Sequence, residues 1–211
     1  MRLRITFSKS GPLRYSGHLD LHTIWERTVR RAGLPLAYTQ GFHPGPKLQL
    51  ASALPLGIIG RAEIVDIWIN ESEQAQEGSF KEVLQSAAPP GLVISSILEV
   101  DDRAPALQTM VVSAEYEVTL LDPVDVQVLD ANISRLLEAA SLQRERRGKP
   151  YDLRPLIESL SLPPEDASGF PRLHMRLAAR QGATGRPEEV LDALELAVEI
   201  TRIERTCLGI S

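Results

Sequence analysis

In the first hundred residues, segments whose apolar positions recur every second residue alternate with segments whose apolar positions recur at the spacing of an α-helix. Leu3, Ile5 and Phe7 alternate with polar residues, which predicts a half-buried strand. Apolar positions then recur at helical spacing over about residues 17–32, and Gly33 follows where the predicted helix ends. The next predicted elements are strands at about 47–55 and 63–70, a helix at about 80–88 capped by Ser79, and a strand at about 92–99. The predicted order is βαββαβ.

The second half repeats this order less cleanly, after a polar segment at 101–109 that is typical of a linker. Its predicted elements are a strand at 116–120, a helix after Asp122-Pro123, an ambiguous extended stretch at 142–160, a strand at 172–177, a helix at 187–197 and a strand at 198–207. Two such units predict an α+β fold of tandem ferredoxin-like modules with antiparallel sheets. We expect the modules at residues 1–100 and 110–211.

A ferredoxin-like sheet carries its helices on one face and leaves the other face open. Alternation places Arg2 and Arg4 of the first strand on that open face, together with Asp66 and Trp68 of the third strand. A tryptophan beside arginines on an open sheet is how several RNA-binding folds stack bases. The alternative interpretation is that the second module covers Trp68.

Charge is distributed unevenly along the chain. Residues 1–47 hold eight basic and two acidic side chains, whereas the remaining 164 residues carry a net charge of −11. Such asymmetry indicates a local patch for an anionic partner on an acidic body. A second basic segment, at 143–154, holds five basic and two acidic residues, and it suits either a phosphate track or a solvated hairpin.

Composition excludes several classes of protein. With 43% hydrophobic and 24% charged residues the chain can fill a core, and no apolar stretch reaches the roughly 20 residues of a membrane span. Cys207 is the single cysteine, which excludes a disulfide framework and a cysteine-based zinc or iron–sulfur site on this chain. We therefore expect a cytoplasmic protein that has no cofactor of its own.

Two loops flank the first predicted helix. The segment Ser8–Gly17 is polar and basic, with Lys9 and Arg14, and it enters a helix N-terminus that favours anions. The segment 39–47 holds two glycines and two prolines, which shape the loop, and it carries Phe42, His43 and Lys47. The hypothesis is that the two loops lie side by side as walls of one phosphate or nucleic-acid site.

These segments resemble a small bacterial radical SAM-linked family, a domain of unknown function encoded beside or fused to radical SAM proteins. The matching motifs are Phe7-Ser8-Lys9, Gly11, Arg14, His18-Leu19-Asp20, Arg30-Arg31-Ala32, Leu34-Pro35, Gly41-Phe42, Pro44, Pro46-Lys47 and Pro55-Leu56-Gly57. The resemblance is specific over the first 60 or so residues and general elsewhere. It implies a radical SAM enzyme as a partner in trans and favours a role in RNA modification.

Histidines raise two catalytic alternatives. His18 and His22 stand one helical turn apart, as in some metal sites, but Asp20 points about 160° away from His22 on a regular helix, so we expect no metal site. Tandem ferredoxin-like modules also resemble the CRISPR RNA-processing endoribonucleases, in which His18 and His43 would act as acid and base. The resemblance to the radical SAM-linked family weakens this alternative, because His43 stands where that family typically has asparagine.

The sequence therefore predicts a non-catalytic RNA-binding accessory protein that works with a radical SAM enzyme in tRNA or rRNA modification. One alternative is a protein-interaction module that docks such an enzyme without RNA contact, and the other is the metal-free endoribonuclease. The predicted phosphate- and RNA-binding residues are Lys9, Arg14, His18, Arg27, Arg30, Arg31, Phe42, Lys47 and Trp68.

Overall fold

The computed structural model describes residues 1–70, 80–164 and 169–211; the predicted helix cap Ser79 lies outside them. The chain divides into two compact units, Met1–Val111 and Val112–Ser211. Residues 101–109, which we expected to be a linker, belong to the first unit. Within the described residues, none of the helices has the length and apolar character needed to cross a membrane.

The first unit has the βαββαβ order that the sequence predicts. Its elements are β1 (Arg2–Lys9), α1 (His18–Arg31), β2 (Leu48–Leu50), β3 (Ile59–Trp68), α2 (Phe80–Ala87), β4 (Leu92–Val100) and the one-turn α3 (Leu107–Met110). The strands pair antiparallel in the order β4-β1-β3-β2. This is the strand order of a ferredoxin-like sheet, so the predicted fold class is confirmed.

Alternation along β1 builds the core of this unit. Leu3, Ile5 and Phe7 are buried, and the ring of Phe7 meets that of Trp25 from α1 edge-on, with 4.9 Å between centroids. The predicted strand at 47–55 is shorter than expected, since β2 ends at Leu50 and the chain bends at Ala51 and Ser52.

The second unit repeats the order with an added hairpin. Its elements are β5 (Val111–Leu120), α4 (Val126–Glu138), β6 (Gln143–Arg146), β7 (Lys149–Asp152), β8 (Ile157–Ser161), β9 (Arg172–Arg180), β10 (Ala183–Thr184), α5 (Pro187–Ala193) and β11 (Thr201–Ile210). The strand order β11-β5-β9-β8 is again ferredoxin-like, with β10 pairing the end of β9. The ambiguous stretch at 142–160 contains the hairpin β6–β7 and the strand β8. The predicted helix at 187–197 ends early, at Ala193.

Register defines two ends of the sheet in the first unit. Arg2 pairs with Trp68 at one end, and Lys9 pairs with Gly60 at the other, which we call the Arg2 end and the Lys9 end. Eight residues of β1 place these ends about 23 Å apart. The segment after α1 returns at the Arg2 end, where Ala37 N donates to Trp68 O.

Candidate nucleic-acid interface

Three arginines extend from the exposed side of α1 in its last two turns. Arg27, Arg30 and Arg31 are three and four residues apart, a spacing that makes them neighbours on the helix surface. The opposite side of α1 is buried through Leu21, Trp25, Thr28 and Val29. The arginines therefore stay in solvent because the amphipathic pattern of α1 fixes which side faces the sheet.

The three arginines differ in what they contact. The Arg30 guanidinium donates to the Tyr38 hydroxyl from Nε at 3.1 Å and from Nη2 at 2.7 Å, and it lies 3.5 Å from Glu26. These hydrogen bonds, then the charges of Tyr38 and Glu26, raise the pKa of Arg30. Arg31 donates from Nη1 to Ala87 O at 2.7 Å, which ties α1 to the end of α2. Arg27 forms no ion pair with any of the described residues.

The segment after α1 folds into a closed loop with an aromatic tip, which we call the Phe42 loop (residues 38–46). Thr39 N donates to Gly45 O at 2.8 Å, and Tyr38 bridges Pro46 across the base of the loop. The side chain of Phe42 is fully exposed. Because Arg30 holds Tyr38, the base of this loop is fixed to α1 beside the arginines. The structure thus places Arg27, Arg30 and the Phe42 loop at the Arg2 end of the unit.

Lys47 closes the Phe42 loop on its other side. Its Nζ lies 4.7 Å from the centre of the Trp68 ring and 3.7 Å from an Asp102 carboxylate oxygen. The side chain keeps 41% of its surface exposed, so the ammonium remains reachable from solvent. Lys47 is therefore a partly neutralised cation at the edge of the same surface.

Lys9, Arg14 and His18 lie at the Lys9 end instead. The Lys9 side chain is fully buried, and its Nζ donates to Ser16 O at 2.7 Å. The Arg14 guanidinium stacks on the Tyr15 ring at 4.7 Å and donates to its hydroxyl. The prediction that Lys9 contacts phosphate is wrong, because its ammonium is enclosed and bonded within the fold.

The hypothesis of two loops side by side is also wrong. The loop 9–17 precedes α1, where Gly57 N donates to Arg14 O, and the loop 41–47 comes after α1, where Lys47 O accepts from Trp68 N. The 14 residues of α1 span about 20 Å between them. They lie at opposite ends of the unit and cannot form the walls of one small site.

The open face expected at Trp68 is closed by the segment that comes after β4. Asp66 is fully buried and accepts from both Arg2 and Arg4, with the Arg2 guanidinium 4.8 Å from the Trp68 ring centre. Arg2 also donates to Ala104 O at 2.7 Å and Pro105 O at 2.9 Å, and Trp68 Nε1 donates to Asp102. The prediction that Trp68 stacks on a base is wrong, because the ring is buried beneath residues 102–105.

The histidines do not converge. His18 begins α1 at the Lys9 end, whereas His43 lies in the Phe42 loop beyond the other end of α1. Burial, together with the charge of His22, lowers the pKa of His18. Asp20 is a helix cap, since its Oδ2 accepts from Gly17 N at 2.9 Å. His18 and His43 therefore cannot serve as the acid and base of one nuclease site, which requires both within reach of one phosphodiester.

Comparison with known proteins defines the family. A family profile described as "Uncharacterized protein conserved in bacteria (DUF2344)" matches residues 2–187. The chain belongs to this family. No curated protein matches the chain. A crystal structure of a candidate glycine cleavage system transcriptional repressor is 15% identical, with 100% of this chain and 98% of that chain covered and a TM-score of 0.26. That likeness is too weak to carry any property to this DUF2344 protein.

Sequence reasoning missed one residue of the surface, Tyr38. Its hydroxyl accepts both hydrogen bonds of Arg30 and so fixes the Phe42 loop to α1. The sequence contains an indication of this contact. Gly33 and Pro35 predict a chain reversal after α1, which brings the residues that follow close to the end of the helix.

If the Phe42 ring stacks an unpaired base, replacing Phe42 by alanine weakens binding of single-stranded RNA by about 5- to 150-fold, the range expected when one stacked base loses its aromatic partner. Stability should stay within about 0.5 kcal/mol of the parent, because the side chain is fully exposed. Fluorescence anisotropy with a labelled oligonucleotide measures the affinity, and thermal unfolding checks the fold. Unchanged affinity in the alanine variant would remove Phe42 from the interface.

Proposed function

We propose that this chain is a cytoplasmic, non-catalytic RNA-binding accessory protein that works with a radical SAM enzyme in tRNA or rRNA modification. The observation that carries the proposal is the Phe42 loop, which has a fully exposed aromatic ring at its tip and is held at its base by the exposed Arg30 of α1. An exposed aromatic ring offers a flat face on which an unpaired base can stack. The ring is on the same loop whose base Arg30 holds, and Lys47 directly follows that loop, which suits a partner that has both flat bases and phosphates.

Single-stranded RNA fits this arrangement better than a duplex. An unpaired base can stack on Phe42 while its flanking phosphates meet Arg27 and Arg30, whereas bases in a duplex are already stacked on each other. Loops of tRNA and rRNA present such unpaired bases. Lys47 adds a further cation at the same end of the unit. Of the predicted binding residues, Arg27, Arg30, Phe42 and Lys47 carry the proposal, and Arg31 supports α1 through Ala87.

The Lys9 end has a different surface, which favours contact with a protein. Tyr15, Leu19 and Leu56 expose 61%, 81% and 65% of their surfaces, and the Tyr15 ring lies 4.0 Å from where a Cβ on Gly57 would be. Exposed apolar residues in one region often mark a contact with another protein. The resemblance to the radical SAM-linked family suggests that this partner is a radical SAM enzyme. In this proposal the enzyme docks at the Lys9 end, and RNA binds at the Arg2 end.

The test is binding of labelled RNA hairpins and of fully paired duplexes by the full chain at 50 and 200 mM salt. We expect the hairpins to bind more tightly than the duplexes, and the affinity to fall steeply with salt because bound phosphates release counterions. The RNA should remain intact, with and without chelator. Absence of RNA binding at 50 mM salt would contradict the proposal and leave the protein-docking alternative. Specific cleavage that survives chelator would contradict its non-catalytic part.

A further inference from the structure

The second unit contains a basic cavity that the proposed RNA surface does not use. It has a volume of about 490 Å³ and lies between the hairpin β6–β7 and the turn before α5. This size is within the range of small-molecule binding sites. Its cationic lining consists of Arg146, Arg147, Lys149 and Arg186.

Three of these four cations have no carboxylate partner within residues 1–70, 80–164 and 169–211. Arg146 is neutralised by Glu189, at 2.5 Å from Nη2 and 2.9 Å from Nε, and it also donates to Thr184 O. Arg147, Lys149 and Arg186 form no ion pair with the residues that the structure describes. Unlike a solvated charge run, these three side chains line a shared concave space, where their fields add.

Among the residues that the structure describes, Asp152 is the one acidic residue that lines the cavity, and its carboxylate binds backbone N–H groups. Its Oδ1 accepts from Leu142 N at 2.8 Å and from Arg154 N at 3.0 Å, and the Leu142 bond is the main reason that the pKa of Asp152 lies below its usual value. Counted with Glu189, two described carboxylates neighbour the four cations. The cavity therefore keeps two positive charges, which matches the nearly two negative charges of a phosphate monoester at neutral pH.

Apolar groups line the remaining part of the cavity, through Pro150, Tyr151, Leu156 and Ala183. Burial raises the pKa of the Tyr151 hydroxyl, and the Arg146 guanidinium lies 4.8 Å from the centre of the Tyr151 ring. Cations beside aromatic and aliphatic walls suit a ligand with a charged end and a flat ring. Inorganic phosphate alone would leave the apolar walls unused.

We propose that this cavity binds a nucleoside 5′-monophosphate group, with its phosphate among Arg147, Lys149 and Arg186 and its ring against the Tyr151 side. The group can be a free nucleotide or the 5′-phosphorylated end of an RNA, which share this chemistry. The site is independent of the Phe42 loop, because all its residues lie in the second unit.

The turn that carries Arg147 offers a variant that separates binding from stability. Arg146 pairs with Lys149, and the two residues between them have φ values of +54° at Arg147 and +75° at Gly148. Two-residue hairpin turns with positive φ at both positions prefer Asn-Gly. Arginine is thus unfavourable for the backbone conformation of this turn, but its guanidinium can bind an anion. Arg147→Asn should keep or raise the melting temperature while it removes a ligand contact.

The test is isothermal titration of the full chain with nucleoside 5′-monophosphates, the matching nucleosides and inorganic phosphate. We expect the monophosphates to bind at least about 10-fold more tightly than the nucleosides, and Arg147→Asn and Lys149→Gln each to weaken them about 10-fold. The control is Arg144→Gln, which removes the same charge from the same hairpin outside the cavity lining and should change the affinity less than about 2-fold.

Short oligonucleotides with a 5′-phosphate or a 5′-hydroxyl distinguish the two sources. Tighter binding of the phosphorylated form, lost in Arg147→Asn, would assign the cavity to RNA ends; binding of free monophosphates alone would assign it to a nucleotide. The proposal is overturned if monophosphates and phosphorylated ends bind no better than their unphosphorylated counterparts, or if both cavity variants keep the parent affinity. The double variant Arg27→Gln/Arg30→Gln leaves the cavity of the second unit intact. If that variant loses RNA binding at the Phe42 loop, its affinity for nucleoside monophosphates should stay unchanged.

Discussion

Replacing Asp66 by alanine is expected to lower the free energy of unfolding by about 3–5 kcal/mol. Asp66 is fully buried and pairs with two guanidinium groups, those of Arg2 at 2.6 Å and Arg4 at 2.9 Å. Without the carboxylate, two buried or partly buried cations lose their counter-charge, and this costs more than the original pair contributed. The segment 102–105 should loosen as well, because Arg2 holds Ala104 O and Pro105 O.

Urea denaturation of the full chain measures this loss, followed by the fluorescence of Trp68 and Trp25, which both lie in the first unit. The matched control is Glu26→Gln, which breaks the surface ion pair with Arg30 and should cost no more than about 0.5 kcal/mol. A loss below about 1 kcal/mol in Asp66→Ala would contradict the assignment of Asp66 as the centre that holds the segment after β4.

Replacing Arg27 and Arg30 together by glutamine is expected to weaken RNA binding at least about 100-fold at moderate salt. Each charge-assisted contact with phosphate is worth about 1.5 kcal/mol, and the loss of Arg30 also releases Tyr38 at the base of the Phe42 loop. The slope of log affinity against log salt should fall by about 1.4, because two fewer counterions leave a single strand. Arg31 is left in place, since its Nη1 holds Ala87 O and its loss would also disturb α2.

The control for this pair is Lys81→Gln/Arg135→Gln, which removes the same charge from α2 and α4, neither of which carries the Phe42 loop. It should lower the affinity less than about 3-fold, by the general change in net charge. Equal losses of affinity in the two double variants would mean that RNA binding depends only on the net charge of the protein. No loss in Arg27→Gln/Arg30→Gln would make the arginine side of α1 a solubilising surface.

The pattern of the chain was sufficient to predict the fold, because periodicity alone identifies β1, α1 and their repeats. It also placed Arg2, Arg4, Asp66 and Trp68 on one face correctly, since alternation is a local property. The segment that covers that face is not encoded locally. Residues 101–109 look like a linker in composition, yet two carbonyl groups at 104 and 105 satisfy Arg2 and fix the segment in place.

The prediction that the two loops lie side by side could have been rejected from the sequence. A helix of 14 residues holds the loops at its two ends about 20 Å apart, so similar composition in the two loops could not make them neighbours. The prediction for Lys9 was wrong for a different reason. A lysine in a polar loop near Gly11 is expected to be exposed, and its burial depends on the hydrogen bond from its Nζ to Ser16 O. The cavity of the second unit depends on contacts between the β6–β7 hairpin and the turn before α5, which no spacing rule predicts.

The most direct test of the central claim is ultraviolet cross-linking in native host cells, followed by purification of the full chain and mass spectrometry of its RNA-linked peptides. RNA should be attached to the peptide that contains Phe42, from unpaired loops of tRNA or rRNA. A radical SAM enzyme should be recovered with the same complex. Recovery of that enzyme with no RNA on the chain, or RNA attached only to peptides remote from α1 and the Phe42 loop, would contradict the account.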